Sequence, residues 1–404
     1  MSVGNQLSIR LCYERTPGEV HRMVARLSLI LVLVGSLASG CANPLNRKDA
    51  LDEIASLWKD KLEDLDHREN AQMYILAPEL GLDQFYSSES VRKPFHTASV
   101  GKLFTMVAIV QLIEDGRLHW DSKVHSILGD TMDGLFIVDG LDYSDAVTVE
   151  QLLAHTSGIA DYFSDASEGN PSVADLMLQF PERSWTPDEL LQYHRNHLNA
   201  VFVPGNGFHY SDTGYLLLGL IVEKLSGMPF HRYLQERIFR PLAMLDTYMP
   251  GRSQSIRGGQ DTMGTTWFEG REISGYKSIT VDWAGGGIVS TLEDLMRFNR
   301  ALFTGGLLEE KSLDRIKNFQ NKFETGIYCG TGIMEYRFED FFPLLSGYPR
   351  WQGHLGILAT HLIFDPQRNI SIVMNLGSND YLEDSFRLLI DVSEVLMRIR
   401  NPNG

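Results

Sequence analysis

The chain has 404 residues, 43% apolar, 10% aromatic and 22% charged, with 52 Asp and Glu against 36 Lys and Arg and a formal charge of −16. That apolar fraction excludes whole-chain disorder and fibrous repeats, and the length allows a large core in one or two intertwined units. The acidity excludes nucleic acid as a partner, because neutralising phosphates requires clustered Lys and Arg.

Residues 27–38 (LSLILVLVGSLA) form the one long apolar run, with Arg22 and Arg26 just before it. About twelve residues are too few for a hydrocarbon core that takes about twenty, so the run reads as the centre of an export signal. Small residues then lead into Cys41 (LASGC), a pattern that resembles the bacterial lipobox, in which the cysteine is acylated and becomes the mature N-terminus. Met23 opens a more typical signal than Met1. The expectation is a signal over residues 1–40, a membrane anchor through a lipid on Cys41 and a catalytic part outside the cytoplasm. An uncleaved anchor or a plain secretory signal, giving a secreted or periplasmic protein, is the alternative. Cleavage removes four Arg and two Glu, leaving the chain two charges more negative and without Cys12. With Cys41 acylated, Cys329 stands alone, so no disulfide framework or cysteine metal site is expected.

Residues 41–50 read as a short polar tether. Apolar residues at helical spacing over 51–65 (Leu51, Ile54, Leu57, Trp58, Leu62, Leu65) predict an amphipathic helix, and 73–76 a short strand. Residues 103–113 are too densely apolar for a surface helix. Helical patterns and loops alternate from about 120 to 270, and strand-like runs follow at 286–289, 357–364 and 370–376. Ser290-Thr291-Leu292-Glu293-Asp294 carries the cap and early acids of a helix start, and a last helix is expected over 381–400. This order predicts a mixed α/β (α+β) unit over 51–404. Both chain ends, about 51–98 and 270–404, would form one lobe, and a helical lobe would occupy about 99–269.

The chain has no G-x-S-x-G elbow, no phosphate-binding G-x-x-x-x-G-K-[ST] loop and no H-E-x-x-H zinc helix. His194 and His197, three apart on an expected helix, read as a solvated face rather than a metal pair. What remains is S-x-x-K, whose spacing sets a Lys amine beside a Ser hydroxyl on one helix face. A desolvated amine can take the Ser proton, and N–H groups at the helix start can hold an oxyanion. Four copies occur: Ser56/Lys59, Ser90/Lys93, Ser99/Lys102 and Ser274/Lys277. Ser56 lies within an exposed helix, Lys93 precedes Pro94, and Ser274-Gly275-Tyr276 reads as a loop. Ser99 opens the long apolar segment, which supplies the burial that lowers a Lys pKa. Two further elements complete a site. Tyr210-Ser211-Asp212 precedes a helical run over 214–225, where a phenol held between two cations could serve as a proton shuttle. Gly353-His354-Leu355-Gly356 lets backbone approach a ligand, with His354 offering a hydrogen bond or positive charge.

Taken together, Ser99-x-x-Lys102, Tyr210-x-Asp212 and His354-x-Gly356 resemble the three motifs of the class C β-lactamase and DD-peptidase superfamily, which includes D-aminopeptidases and bacterial esterases. The resemblance covers about residues 70–400, including LLAHTSG at 152–158, YSDTGYLLLG at 210–219 and GGGIVSTLED at 285–294. It implies an antiparallel sheet with the terminal helices on one face and the helical region on the other. It also implies a Ser99 acyl-enzyme, with Lys102 and Tyr210 moving the proton and the backbone N–H groups of Ser99 and Ile357 forming an oxyanion hole. Asp212, His354 and Gly356 would bind substrate, no cofactor would be required, and His155-Thr156-Ser157-Gly158 would be a structural turn.

Two departures bear on substrate. Asp212 stands where the lactamase pattern has Asn; an ionised Asp accepts but cannot donate to an acyl-amide carbonyl. It suits a substrate ammonium, or pairs with Lys102 and blunts it as a base, which leaves Tyr210 as the proton acceptor. Leu355 replaces a hydroxyl residue that would hold a substrate carboxylate. The expected function is a cell-envelope serine hydrolase acting on D-amino-acid peptides, including peptidoglycan-derived ones, or on D-alanyl-D-alanine ends. A β-lactamase or carboxylesterase is the alternative, and a non-catalytic penicillin-binding or sensor lipoprotein the reading from a different class.

Overall fold

The computed structural model describes residues 43–400 apart from 91, 168 and 259–261. The expected signal and Cys41 lie outside the described residues. Helix α1 (Arg47–Asp64) begins where the Asn46 side chain accepts the Asp49 N–H at 3.0 Å, and it buries Ala50, Ile54 and Trp58 at four-residue spacing. The expected tether is therefore shorter than residues 41–50. Leu45 already bridges to Ile399, and Ala50 is fully buried.

Eight antiparallel strands form the sheet: β1 (Gln72–Ala77), β2 (Leu82–Ser87), β3 (Asn321–Glu324), β4 (Ile327–Cys329), β5 (Met334–Tyr336), β6 (Trp351–Gly356), β7 (Thr360–Asp365) and β8 (Ile370–Asn375), in the order β2-β1-β8-β7-β6-β5-β4-β3. Both chain ends thus meet at the centre, where Met73 pairs with Met374 and Ile363 with Ile372. All residues of β7 and β8 are buried, because layers cover both faces. On one face α1 packs beside the C-terminal helix Leu382–Arg398 around Met73, Ile75, Ile363 and Ile372. On the other lie the helical region and helix Leu292–Phe303, capped by Thr291 and tied to β7 by Asn299 Nδ2 donating to the Ile363 carbonyl at 3.1 Å. This is the β-lactamase/transpeptidase-like fold.

The run at 357–364 is not one strand. It spans the tight turn between β6 and β7, where Ala359 takes φ 56°. Likewise, 286–289 is mostly a turn, and only Val289 and Ser290 form a short ladder, with Phe95 and His96. Helix α2 (Lys102–Glu114) buries every residue from Lys102 to Leu112, which explains its uniform apolarity. It packs on α3 (Asp212–Ser226), started by the Ser211 hydroxyl and ended by Gly227 at φ 72°. No helix among the described residues is long and apolar enough to cross a membrane.

Candidate active site

Ser99 sits in one turn of helix (Ala98–Gly101) that runs directly into α2. The turn rests against a glycine run: a Cβ on Gly286 would meet the Ala98 carbonyl oxygen at 2.7 Å, and one on Gly356 would meet that of Thr97 at 2.5 Å. Gly356, expected to bind substrate, therefore also serves as close-packing backbone beneath the nucleophile turn.

Lys102 is fully buried, and its Nζ donates to Ser99 Oγ at 3.3 Å, to the Gly285 carbonyl at 2.7 Å and to Asp212 Oδ1 in a short contact. Those three partners use all three ammonium donors. The pairing of Asp212 with Lys102 is thus present in the resting site.

Tyr210 is not held between two cations. The Lys102 amine lies 4.8 Å over its ring centre, and its buried hydroxyl has the Ser99 hydroxyl as its interacting neighbour. Burial, reinforced by Asp212, pushes its pKa well above the phenol range, against a lowering by Ser99. The resting residue is a neutral phenol, able to give a proton as it receives one. Its ring stacks 4.2 Å from that of His155, whose Nδ1 accepts the Ser211 N–H at 3.0 Å. The 155–158 segment is a turn, with His155 at φ 58° and Gly158 at φ 81°.

His354 departs from expectation as well. Burial pushes its pKa down to about 3, with Lys102 acting in the same sense, and its Nδ1–H donates to the Leu355 carbonyl at 2.7 Å. It brings no positive charge, and its neighbours Leu355 and Ile357 form the cavity wall instead. His194 is fully buried rather than solvated, because it follows Leu190 by one turn on the inward stripe of its helix.

The cavity beside Ser99 holds about 310 Å³. Phe163, Phe208, Phe323, Met334, Leu355 and Ile357 form an apolar wall, while Asp161, Asp212 and Asp282 line it with carboxylates. Asp161 and Asp282 were not found from sequence, since an isolated Asp in a loop carries no periodic signal. Asp161 Oδ1 accepts the Asp212 N–H at 2.9 Å and Oδ2 accepts the Ser164 N–H at 3.1 Å. Burial and the Asp212 charge raise the Asp161 pKa, and burial followed by Asp212 raises that of Asp282 to about 7, against a lowering by Lys102. Between about pH 4 and 7 these two carboxyls hold protons that the unfolded chain has released, so their contribution to stability falls as pH rises, whereas buried histidines with depressed pKa values, His354 among them, contribute in the opposite sense. In a melting series the stability of wild type relative to Asp282→Asn should therefore fall as pH rises from about 4 to 7; a constant or rising difference contradicts it.

The fold and this Ser–Lys–Tyr arrangement define a class, the serine hydrolases of the β-lactamase superfamily. The Beta-lactamase family profile matches residues 88–391, and the chain belongs to that family. Among its relatives, penicillin-binding protein 4* of Bacillus subtilis is 29% identical over 54% of this chain. The chain spans about half of that protein's length, 47%. A putative D-alanyl-D-alanine carboxypeptidase of Escherichia coli is 23% identical over 69% of this chain and 68% of its own. A D-amino acid amidase from Ochrobactrum anthropi, solved with D-phenylalanine, superposes with a TM-score of 0.72 at 22% identity, covering 87% of this chain and all of its own. At that identity, the likeness establishes the fold.

Proposed function

We propose that the chain hydrolyses amide or ester bonds through an acyl-enzyme on Ser99, preferring D-amino-acid amides or short D-peptides that carry a free ammonium. The observation that carries the hydrolase reading is the buried Lys102 amine, which joins Ser99 Oγ to Asp212 at the floor of the cavity. In the proposed reaction, Ser99 Oγ attacks the carbonyl while its proton passes to Tyr210 Oη. The Tyr210 proton passes in turn to the leaving nitrogen or oxygen, so no free phenolate is needed. The Lys102 charge stabilises the developing alkoxide, and the N–H groups of Ser99 and Ile357 would hold the carbonyl oxygen. Water then releases the acyl group.

Asp161, Asp212, Asp282 and Glu324 line the cavity against Lys322 and the Lys102 amine beneath it, so above about pH 7, where Asp161 and Asp282 are ionised, the balance is negative and favours a cation in the substrate. Preference for D-residues follows the carboxypeptidase and amidase relatives. The aromatic wall favours carboxylester hydrolysis as a second reading. Tethering outside the cytoplasm by a lipid on Cys41 completes the proposal and rests on the sequence pattern.

A turnover panel of D-phenylalanine amide, its N-acetyl form, a D-Ala-D-Ala peptide, nitrocefin and p-nitrophenyl butyrate tests this reading. The free amine should exceed its N-acetyl form by about tenfold or more in kcat/KM. Equal rates reject ammonium recognition, and an ester turned over to the exclusion of amides supports the second reading. Asp212→Asn should cost the free-amine preference and raise penicillin acylation, because the amide can donate to the acyl carbonyl. An unchanged penicillin rate would show that Asp212 does not set acyl choice.

A further inference from the structure

Ala98, immediately before the nucleophile, takes φ 46°, a left-handed conformation uncommon for a residue with a Cβ. Its neighbours are anchored by backbone: Phe95 and His96 pair with Ser290 and Val289, and the Thr97 N–H donates to the Ile288 carbonyl at 2.9 Å. Ala98 N–H leaves that ladder and, being buried, needs another acceptor. It donates to His96 Nδ1 at 3.1 Å.

An imidazole nitrogen accepts only when unprotonated, so in this bond the neutral ring carries its hydrogen on Nε2. His96 is 4% exposed, and Nε2 has no hydrogen bond but faces Asp282 Oδ2 at 3.5 Å. A carboxylate, an imidazole and a backbone amide thus stand in series behind the serine. Burial pushes the His96 pKa down to about 4, which keeps the ring an acceptor at neutral pH.

We propose that His96 is a positioning residue for acylation. Its Nδ1 holds the Ala98 N–H, and with it the left-handed turn that aims Ser99 Oγ at the substrate carbonyl, while Asp282 fixes the tautomer. The proposal rests on Ser99 being the nucleophile. Asp282 also lines the cavity, so bound substrate and this support share a wall.

Two substitutions separate the ring's two nitrogens. His96→Asn sets an amide oxygen where Nδ1 stands, whereas His96→Gln reaches toward Asp282 and leaves the Ala98 N–H without an acceptor. In burst kinetics with p-nitrophenyl butyrate, His96→Gln should lower the acylation rate constant by about 10- to 100-fold, with KM within about threefold. His96→Asn should return the rate to within about threefold of wild type. Equal losses in both variants, an unchanged His96→Gln, or a loss confined to KM would overturn the role. A second readout needs only the wild-type protein. Nitrogen-15 spectra of labelled histidine should show His96 as the Nε2–H tautomer at pH 7; an Nδ1–H ring or an imidazolium would also overturn it. Ser99→Ala keeps the two claims apart. A burst surviving in that variant defeats the nucleophile assignment, whereas a silent Ser99→Ala beside a fully active His96→Gln defeats the positioning role alone.

Discussion

Ser99→Ala is expected to lower turnover of every accepted substrate by about 10⁴-fold or more while leaving the fold and melting temperature near wild type. The serine hydroxyl contacts Lys102 Nζ at 3.3 Å and the neutral Tyr210 phenol, and the amine keeps Asp212 and the Gly285 carbonyl when the hydroxyl is removed. Loss of the hydroxyl therefore removes the attacking atom without orphaning a buried charge. Steady-state rates for the wild type and variant on the best panel substrate decide the matter. Activity retained within about tenfold would remove Ser99 from the chemistry.

Lys102→Ala carries the second large effect, and it reaches both rate and stability. The amine is fully buried, and its Asp212 partner is nearly so. Removing one member of such a pair strands the other charge and typically costs about 3–5 kcal/mol. Asp212 would then face Asp161 and Asp282 with no cation between them, which adds repulsion. Turnover should fall by about 10²–10³-fold, the usual range for removing one group that stabilises a developing anion. The double variant Lys102→Ala/Asp212→Asn should recover much of the stability and none of the rate. Urea unfolding of the three proteins reads this directly. A Lys102→Ala single variant as stable as wild type would show that the pair does not carry the charge balance of the site.

Much of this site was legible in the sequence because its parts lie where local signals are strong. A serine opening a uniformly apolar helix separates Ser99/Lys102 from three decoy copies, and the structure shows why: α2 is buried on all sides. The Asp212–Lys102 pairing was also foreseeable, since the second motif opens the helix that packs on α2. What the sequence concealed was of two kinds. A strand buried on both faces stays apolar back into the tight turn before it, so that turn and β7 blur into one run, and His354 was assigned an exposure to substrate that Leu355 and Ile357 have instead. Tertiary neighbours leave no periodic trace either. Asp161 and Asp282 meet Asp212 only when distant loops close on the cavity, and the charge state of His354 follows from burial that no motif encodes. His194 lies between these cases. Its spacing from Leu190 marked the inward stripe, but its polarity argued for solvent.

The assignment of Ser99 as the acylated residue is tested most directly by trapping. The protein is treated with a fluorophosphonate, digested, and the modified peptide sequenced by mass spectrometry. The adduct is expected on the peptide carrying Ser99, and absent from it in Ser99→Ala. A stoichiometric adduct on another residue, Ser157 or Ser211 for instance, or an active wild-type protein that takes no adduct at all, would contradict it.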